Sequence, residues 1–224
     1  MSLLSASPSA SLRRLVTVST LLATAAMSLP ASAAVEDDIQ VLQRDWAVIR
    51  YQSPPGERQK RFADLAAQAH KVSETYPNRS EPLVWEGIIV SSWAGEKGGL
   101  GALDLAKQAK ALYESAIQID GNVLDGSAYN SLGVLYYKVP GWPIGFGSKA
   151  KAQDLLQKAL DINPDGIDAN YFYGEYLVET RQPDKALPYL EKALKAPPRP
   201  GRQIADAGRR DEARQLIEKI QGAR

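Results

Sequence analysis

The sequence predicts an all-α protein, a right-handed superhelical stack of helical hairpins with capping helices at its ends. Three observations predict it. Between Ala152 and Pro198 the chain lines up with itself at an offset of 34, so that Ala152, Leu156, Ala159 and Pro164 recur as Ala186, Leu190, Ala193 and Pro198. Just upstream, Tyr129, Leu132, Gly133 and Tyr136 give the spacing aromatic-x2-L-G-x2-Y. Elsewhere apolar residues return at three- and four-residue intervals, the period of a helix with one buried face.

The spacings have a physical reason. Antiparallel helices approach closely only where side chains are small. Gly133 and Gly174 on first helices are therefore expected to face Ala152 and Ala186 on second helices, with Tyr136, Leu156, Leu177 and Leu190 filling the space beside them. Pro164 and Pro198 stop the second helix of each hairpin, because proline lacks the N–H that the next turn requires. Together these motifs resemble the tetratricopeptide repeat (TPR) family, in which each repeat is one helix–turn–helix of 34 residues. The resemblance implies a binding scaffold and leaves its partner unnamed.

In chain order, residues 1–33 read as a secretory signal peptide. Arg13 and Arg14 precede an apolar, uncharged run from Leu15 to Leu29, and Ala31-Ser32-Ala33 is a small-x-small cleavage pattern. The run falls short of the ~20 residues of a membrane span. The expected product is soluble, periplasmic and not membrane-spanning after cleavage. Loss of residues 1–33, which hold two arginines and no acid, takes the net charge from +1 to −1. That balance excludes an electrostatic case for nucleic acid. The absence of cysteine excludes disulfides, thiol catalysis and a lipid anchor on cysteine.

Residues 34–78 are expected to form an N-terminal capping pair, with Ile39, Leu42, Trp46 and Ile49 on one helix and Phe62, Leu65, Ala69 and Val72 on the other. Residues 79–200 hold the repeats, at about 80–121, 126–164 and 167–198. The first is degenerate: Leu83, Gly87 and Val90 stand in its first helix, and Ala109, Tyr113 and Ala116 take the alanine–leucine–alanine places of its second. Two glycine-rich inserts, 94–101 and 139–147, join first helices to second ones and should emerge on one edge as loops. Residues 201–224 are expected to cap the stack with a helix whose Arg209, Arg210 and Arg214 lie on a solvated face.

No coherent catalytic set is present, and the chain reads as a non-enzyme with no cofactor and no metal. His70 is the only histidine and reads as structural. Gly95, Gly98, Gly99 and Gly101 match neither phosphate-binding glycine pattern. Asp161-x-Asn163-x-Asp165-Gly166 copies the start of a calcium loop, but the twelfth place, which should be Glu, is Phe172; a turn between repeats is expected instead.

Candidate binding residues come from the first-helix faces turned away from the core and from the inserts: Trp93, Asn130, Val134, Tyr137, Trp142, Phe146, Tyr171 and Glu175. Tyr129, Tyr136 and Tyr173 are expected in the core. Asn130 and Lys138 alone do not reproduce the clamp with which some families of this type grip C-terminal carboxylates. The expected partner is a protein, docked in the concave groove and on both inserts. A second resemblance covers Ser91 to Pro198, carried by YYKVPGWPIGFGSKAKAQDLLQKAL, and is to the periplasmic T-component of TRAP-type transporters. It implies the alternative, a small-molecule or lipid-binding accessory protein in which Trp93, Trp142 and Phe146 close an apolar pocket.

Overall fold

A computed structural model describes residues 31–222. Most of the expected signal peptide lies outside the described residues. Among these, nine helices and no strand are found: α1 (Ala31–Gln52), α2 (Pro55–Thr75), α3 (Ser80–Lys97), α4 (Gly99–Asp120), α5 (Val123–Lys138), α6 (Lys149–Ile162), α7 (Ile167–Glu179), α8 (Pro183–Lys195) and α9 (Gln203–Gly222). They pair as antiparallel hairpins, α3 with α4, α5 with α6 and α7 with α8, each stacked on the next. None is long and apolar enough to cross a membrane.

The repeat pattern marks one buried seam. Ala109, Tyr113 and Ala116 on α4, Ala152, Leu156 and Ala159 on α6, and Ala186, Leu190 and Ala193 on α8 are all essentially fully buried. The glycines meet the middle residue of each triplet most closely, and Gly174 also faces Ala186, whose carbonyl oxygen lies 3.5 Å from its β-position. A β-carbon at Gly87 would lie 2.5 Å from the Tyr113 ring, one at Gly133 2.8 Å from Leu156 Cγ, and one at Gly174 2.8 Å from Leu190 Cδ2. The large side chain thus lies on the bare glycine backbone, and the flanking alanines give it room. The expected facing of Gly174 on Ala186 is present, with the larger middle side chain nearer still.

Local chemistry ends the elements. Proline begins α2 and α8, where its missing N–H has no helical partner to lose. Ser148 caps α6 by accepting from the Lys151 N–H. Helix α7 ends with Arg181 at φ +61°, the Arg181 N–H bonded to the Val178 carbonyl and the Gln182 N–H to the Leu177 carbonyl. That is a Schellman ending with arginine where glycine is usual. Within the bounds of α5, Leu124, Asp125 and Gly126 have positive φ, so its regular right-handed turns follow Gly126.

The first insert is not a loop. Helix α3 runs on to Lys97 and α4 starts at Gly99, and the chain reverses at Gly98 and Gly99, both at φ +61°. The extra residues lengthen both helices. The second insert is a compact turn, held by Ser148 N–H to the Tyr136 carbonyl (2.8 Å) and Gly147 N–H to the Pro140 carbonyl (2.9 Å), with a cis bond between Trp142 and Pro143.

The ends of the described chain meet. Helix α9 packs on α7 and α8 and also reaches α1, where Gly208 lies against the Tyr51 ring. Arg50 donates to Glu212 at 2.9 Å across this contact. Helix α1 therefore has α2 and α3 on one side and α9 on another, while Glu36, Asp37, Gln40, Val41 and Arg44 keep a third face exposed.

Candidate functional site

The return of α9 walls off a groove of about 630 Å³. The first helices α3, α5 and α7 line it with residues three or four apart: Ile88, Ser91 and Ser92; Asn130, Ser131, Val134 and Lys138; Asp168, Tyr171, Phe172 and Glu175. Their spacing from Gly87, Gly133 and Gly174 places them to one side of the glycine seam, roughly 40–160° round each helix. Trp46 and Arg50 of α1, Trp85 of α3, and Arg199, Arg202, Arg209 and Glu212 also line it, as do residues of α4 and of the second insert, among them Leu103, Ala106 and Pro140.

Charges of alternating sign run along the closing wall, in the order Arg50, Glu212, Arg209, Asp168, Arg199 and Asp206. Arg209 donates to Asp168 at 2.8 Å and to Glu212, and its guanidinium lies over the rings of Tyr171 (4.6 Å) and Phe172 (4.3 Å). Arg199 donates to Asp168 at 2.7 Å and holds buried Asp206 through both its backbone N–H and its guanidinium. Arg209 is only 7% exposed, which overturns its expected place on a solvated face. Arg210 is half-buried, donating to the carbonyls of Leu194 and Ala196, whereas Arg214 is exposed beside Asp211.

Burial pushes the Asp168 carboxyl up, but Arg199, Arg209 and Arg202 outweigh it and hold it well below the usual carboxylate range. For Arg209, desolvation favours the neutral form, and the opposing pull of Tyr51, Asp168 and Glu212 prevails, keeping it charged. Burial and then Glu175 push the Tyr137 hydroxyl up, so it stays protonated and donates to Glu175. Lys138 holds the other Glu175 oxygen at 3.0 Å.

Of the candidates read from the sequence, Asn130, Val134, Tyr171 and Glu175 line the groove. Tyr137 stands behind Glu175 and orients it. Trp93 lies under Lys97, with 5.5 Å between ammonium and ring, and Phe146 packs edge-on against Tyr136, centroids 5.6 Å apart; neither is in the groove lining. Trp142 is 90% exposed, so these three do not close a pocket together. Leu100 and Ile144, exposed at 89% and 68%, sit at the groove mouth. Tyr129 is half-buried over Gly121, against the expected core position, while Tyr136 and Tyr173 are in the core. His70 bonds buried Glu86 through Nδ1 at 2.9 Å, a structural contact. The sequence reading missed Trp46, Arg50, Trp85, Asp168, Arg199, Arg202 and Glu212. Their only sequence signal was the Arg209-x-x-Glu212 spacing, which on a lone helix looks like any surface pair.

Known proteins bear on the fold. The tetratricopeptide repeat profile matches residues 147–205, from the turn before α6 into α9. No curated protein matches the chain. A solved structure, the thermophilic TPR protein TTC0263 of Thermus thermophilus, superposes with a TM-score of 0.54 at 18% identity, over 83% of this chain and 89% of that one. MamA is 24% identical over 77% of this chain and 95% of its own, with a TM-score of 0.44 that adds nothing to the fold assignment. None of these matches bears on the resemblance to a transporter T-component.

Proposed function

We propose that this chain, a member of the tetratricopeptide repeat family, is an exported, non-enzymatic adaptor that docks a protein partner on the edge of its groove. One observation carries the reading: Leu100, Trp142 and Ile144 are the largest apolar exposures on the described surface, and two of them stand at the groove mouth. An exposed tryptophan beside aliphatic side chains gains free energy by being covered, and such residues dominate the energetics of interfaces. The hydrogen-bonded turn around Trp142 fixes its backbone before contact, which lowers the entropic cost of docking.

A photo-cross-linking residue at Trp142, compared with one at exposed Asn78 in the turn between α2 and α3 on the opposite edge, tests the docking surface. A discrete adduct from position 142 alone supports the reading; equal labelling from both positions removes it. Export into a periplasm rests on the signal-like residues 1–33 and has its own test. The N-terminus of protein recovered from that compartment should be Ala34, and retention of residues 1–33 would contradict it.

A further inference from the structure

The cations of the groove are unequally served. Arg50 and Arg209 have Glu212, Arg199 and Arg209 have Asp168, and Lys138 has Glu175 within ion-pair distance. Arg202 has no carboxylate within that distance among the described residues. Its guanidinium lies 4.9 Å from the Trp85 ring centroid, and its Nε is buried without a hydrogen-bond partner. Two further lining side chains, each more than nine-tenths buried, carry unsatisfied atoms: Trp85 Nε1, a donor, and Asn130 Oδ1, an acceptor. The carboxylates that act on it, Asp168 and Asp206, stand beyond ion-pair distance and are already paired with Arg199 and Arg209, so this half-buried cation is incompletely compensated, which is costly. Burial, and then the neighbouring Arg199, pull the Arg202 pKa down to about 10, so an added negative charge at this point would be favourable.

The geometry points to a binding site for a small organic acid, its carboxylate on Arg202 beside Trp85 and its apolar body along Ile88, Val134 and Phe172. The arginine fork matches a carboxylate in shape. The cavity volume falls among those of small-molecule sites, roughly 300–1,000 Å³. The site lies inside the groove and does not depend on the exposed edge residues, so it stands or falls apart from the adaptor reading.

Calorimetry with octanoate and 3-phenylpropionate, set against their uncharged primary amides, tests the site on the whole protein. The acids should bind saturably and alter tryptophan fluorescence, and the amides should bind at least about tenfold more weakly. Arg202→Gln should bring the acids down to the amide level while far-UV circular dichroism and melting temperature hold. Arg202→Lys, which keeps the charge and loses the fork, should fall between. The inference is overturned by equal binding of acid and amide, by full acid binding in a folded Arg202→Gln protein, or by no saturation of the acids up to about 10 mM. It is equally overturned if a short peptide with a free C-terminal carboxylate binds where the small acids do not. None of these results touches cross-linking at Trp142.

Discussion

Adding one methyl group at Gly133 tests the seam that holds the hairpins together. The new β-carbon would lie 2.8 Å from Leu156 Cγ, 3.0 Å from Cδ2 and 3.3 Å from the Leu156 backbone nitrogen. Carbon atoms rest at about 3.5–4.0 Å. Leu156 is fully buried and Cγ is its branch point, so the side chain cannot swing clear. Overpacking of this kind costs about 1–3 kcal/mol, against a gain of about 1 kcal/mol from replacing glycine by alanine in a helix. A net loss of about 1 kcal/mol is expected, or roughly 2–4 °C in Tm. Gly95 supplies the control, since it is helical, exposed and has nothing within 4 Å of its β-position. Gly95→Ala should stabilise by about 0.5–1 kcal/mol. Leu156→Ala alone should cost about 2–5 kcal/mol, and in that background Gly133→Ala should turn from destabilising to stabilising. Urea denaturation measures all four proteins. If Gly133→Ala matches Gly95→Ala, or acts alike in both backgrounds, the packing argument fails.

Arg181 holds a left-handed conformation that costs an L-residue about 1–2 kcal/mol; allowing for the greater unfolded-state entropy of glycine, Arg181→Gly should stabilise by about 0.5–1 kcal/mol in the same assay. Asp168 has a carboxyl held below its ordinary pKa, so its contribution is present above the unfolded value near about 4 and lost as pH falls through the folded value beneath it. Asp168→Asn should cost about 2–3 kcal/mol at neutral pH, and the gap to wild type should begin to narrow only as pH falls below about 4 and go on narrowing toward the folded value; a gap unchanged between neutral pH and about pH 3 would refute the arginine pairing. Trp142→Ala should leave Tm unaltered while abolishing docking, since the side chain touches so little of its own protein.

The repeat register could be read from the sequence because it depends on local spacing. Alanine, leucine and alanine at four- and three-residue steps can bury together only on one helix face, and the same three positions line the seam in α4, α6 and α8. Half of the candidate residues followed from the same periodicity: Asn130, Val134, Tyr171 and Glu175, four of the eight, line the groove. What was hidden depends on tertiary contact. Four glycines between 94 and 101 looked like a loop, yet Gly95 and Gly101 are helical and only Gly98 and Gly99 turn the chain. Helix α9 carries the alternating charges of a surface helix. Arg209 is inside because Asp168 and Glu212 meet it there and Tyr171 and Phe172 lie under its guanidinium. Ion pairs within a groove use the same residue types as solvated ones, so pattern alone cannot separate them.

Meeting of the two ends is what turns an open stack into a walled groove. Because the chain has no native cysteine, spin labels can be placed uniquely at Arg44→Cys on α1 and Arg214→Cys on α9, two positions with well-exposed side chains. Pulsed dipolar spectroscopy should return one narrow distance distribution, fixed by the packing of Gly208 on Tyr51 and the bond from Arg50 to Glu212. A broad distribution extending to long separations in the folded protein would show that α9 does not close the groove.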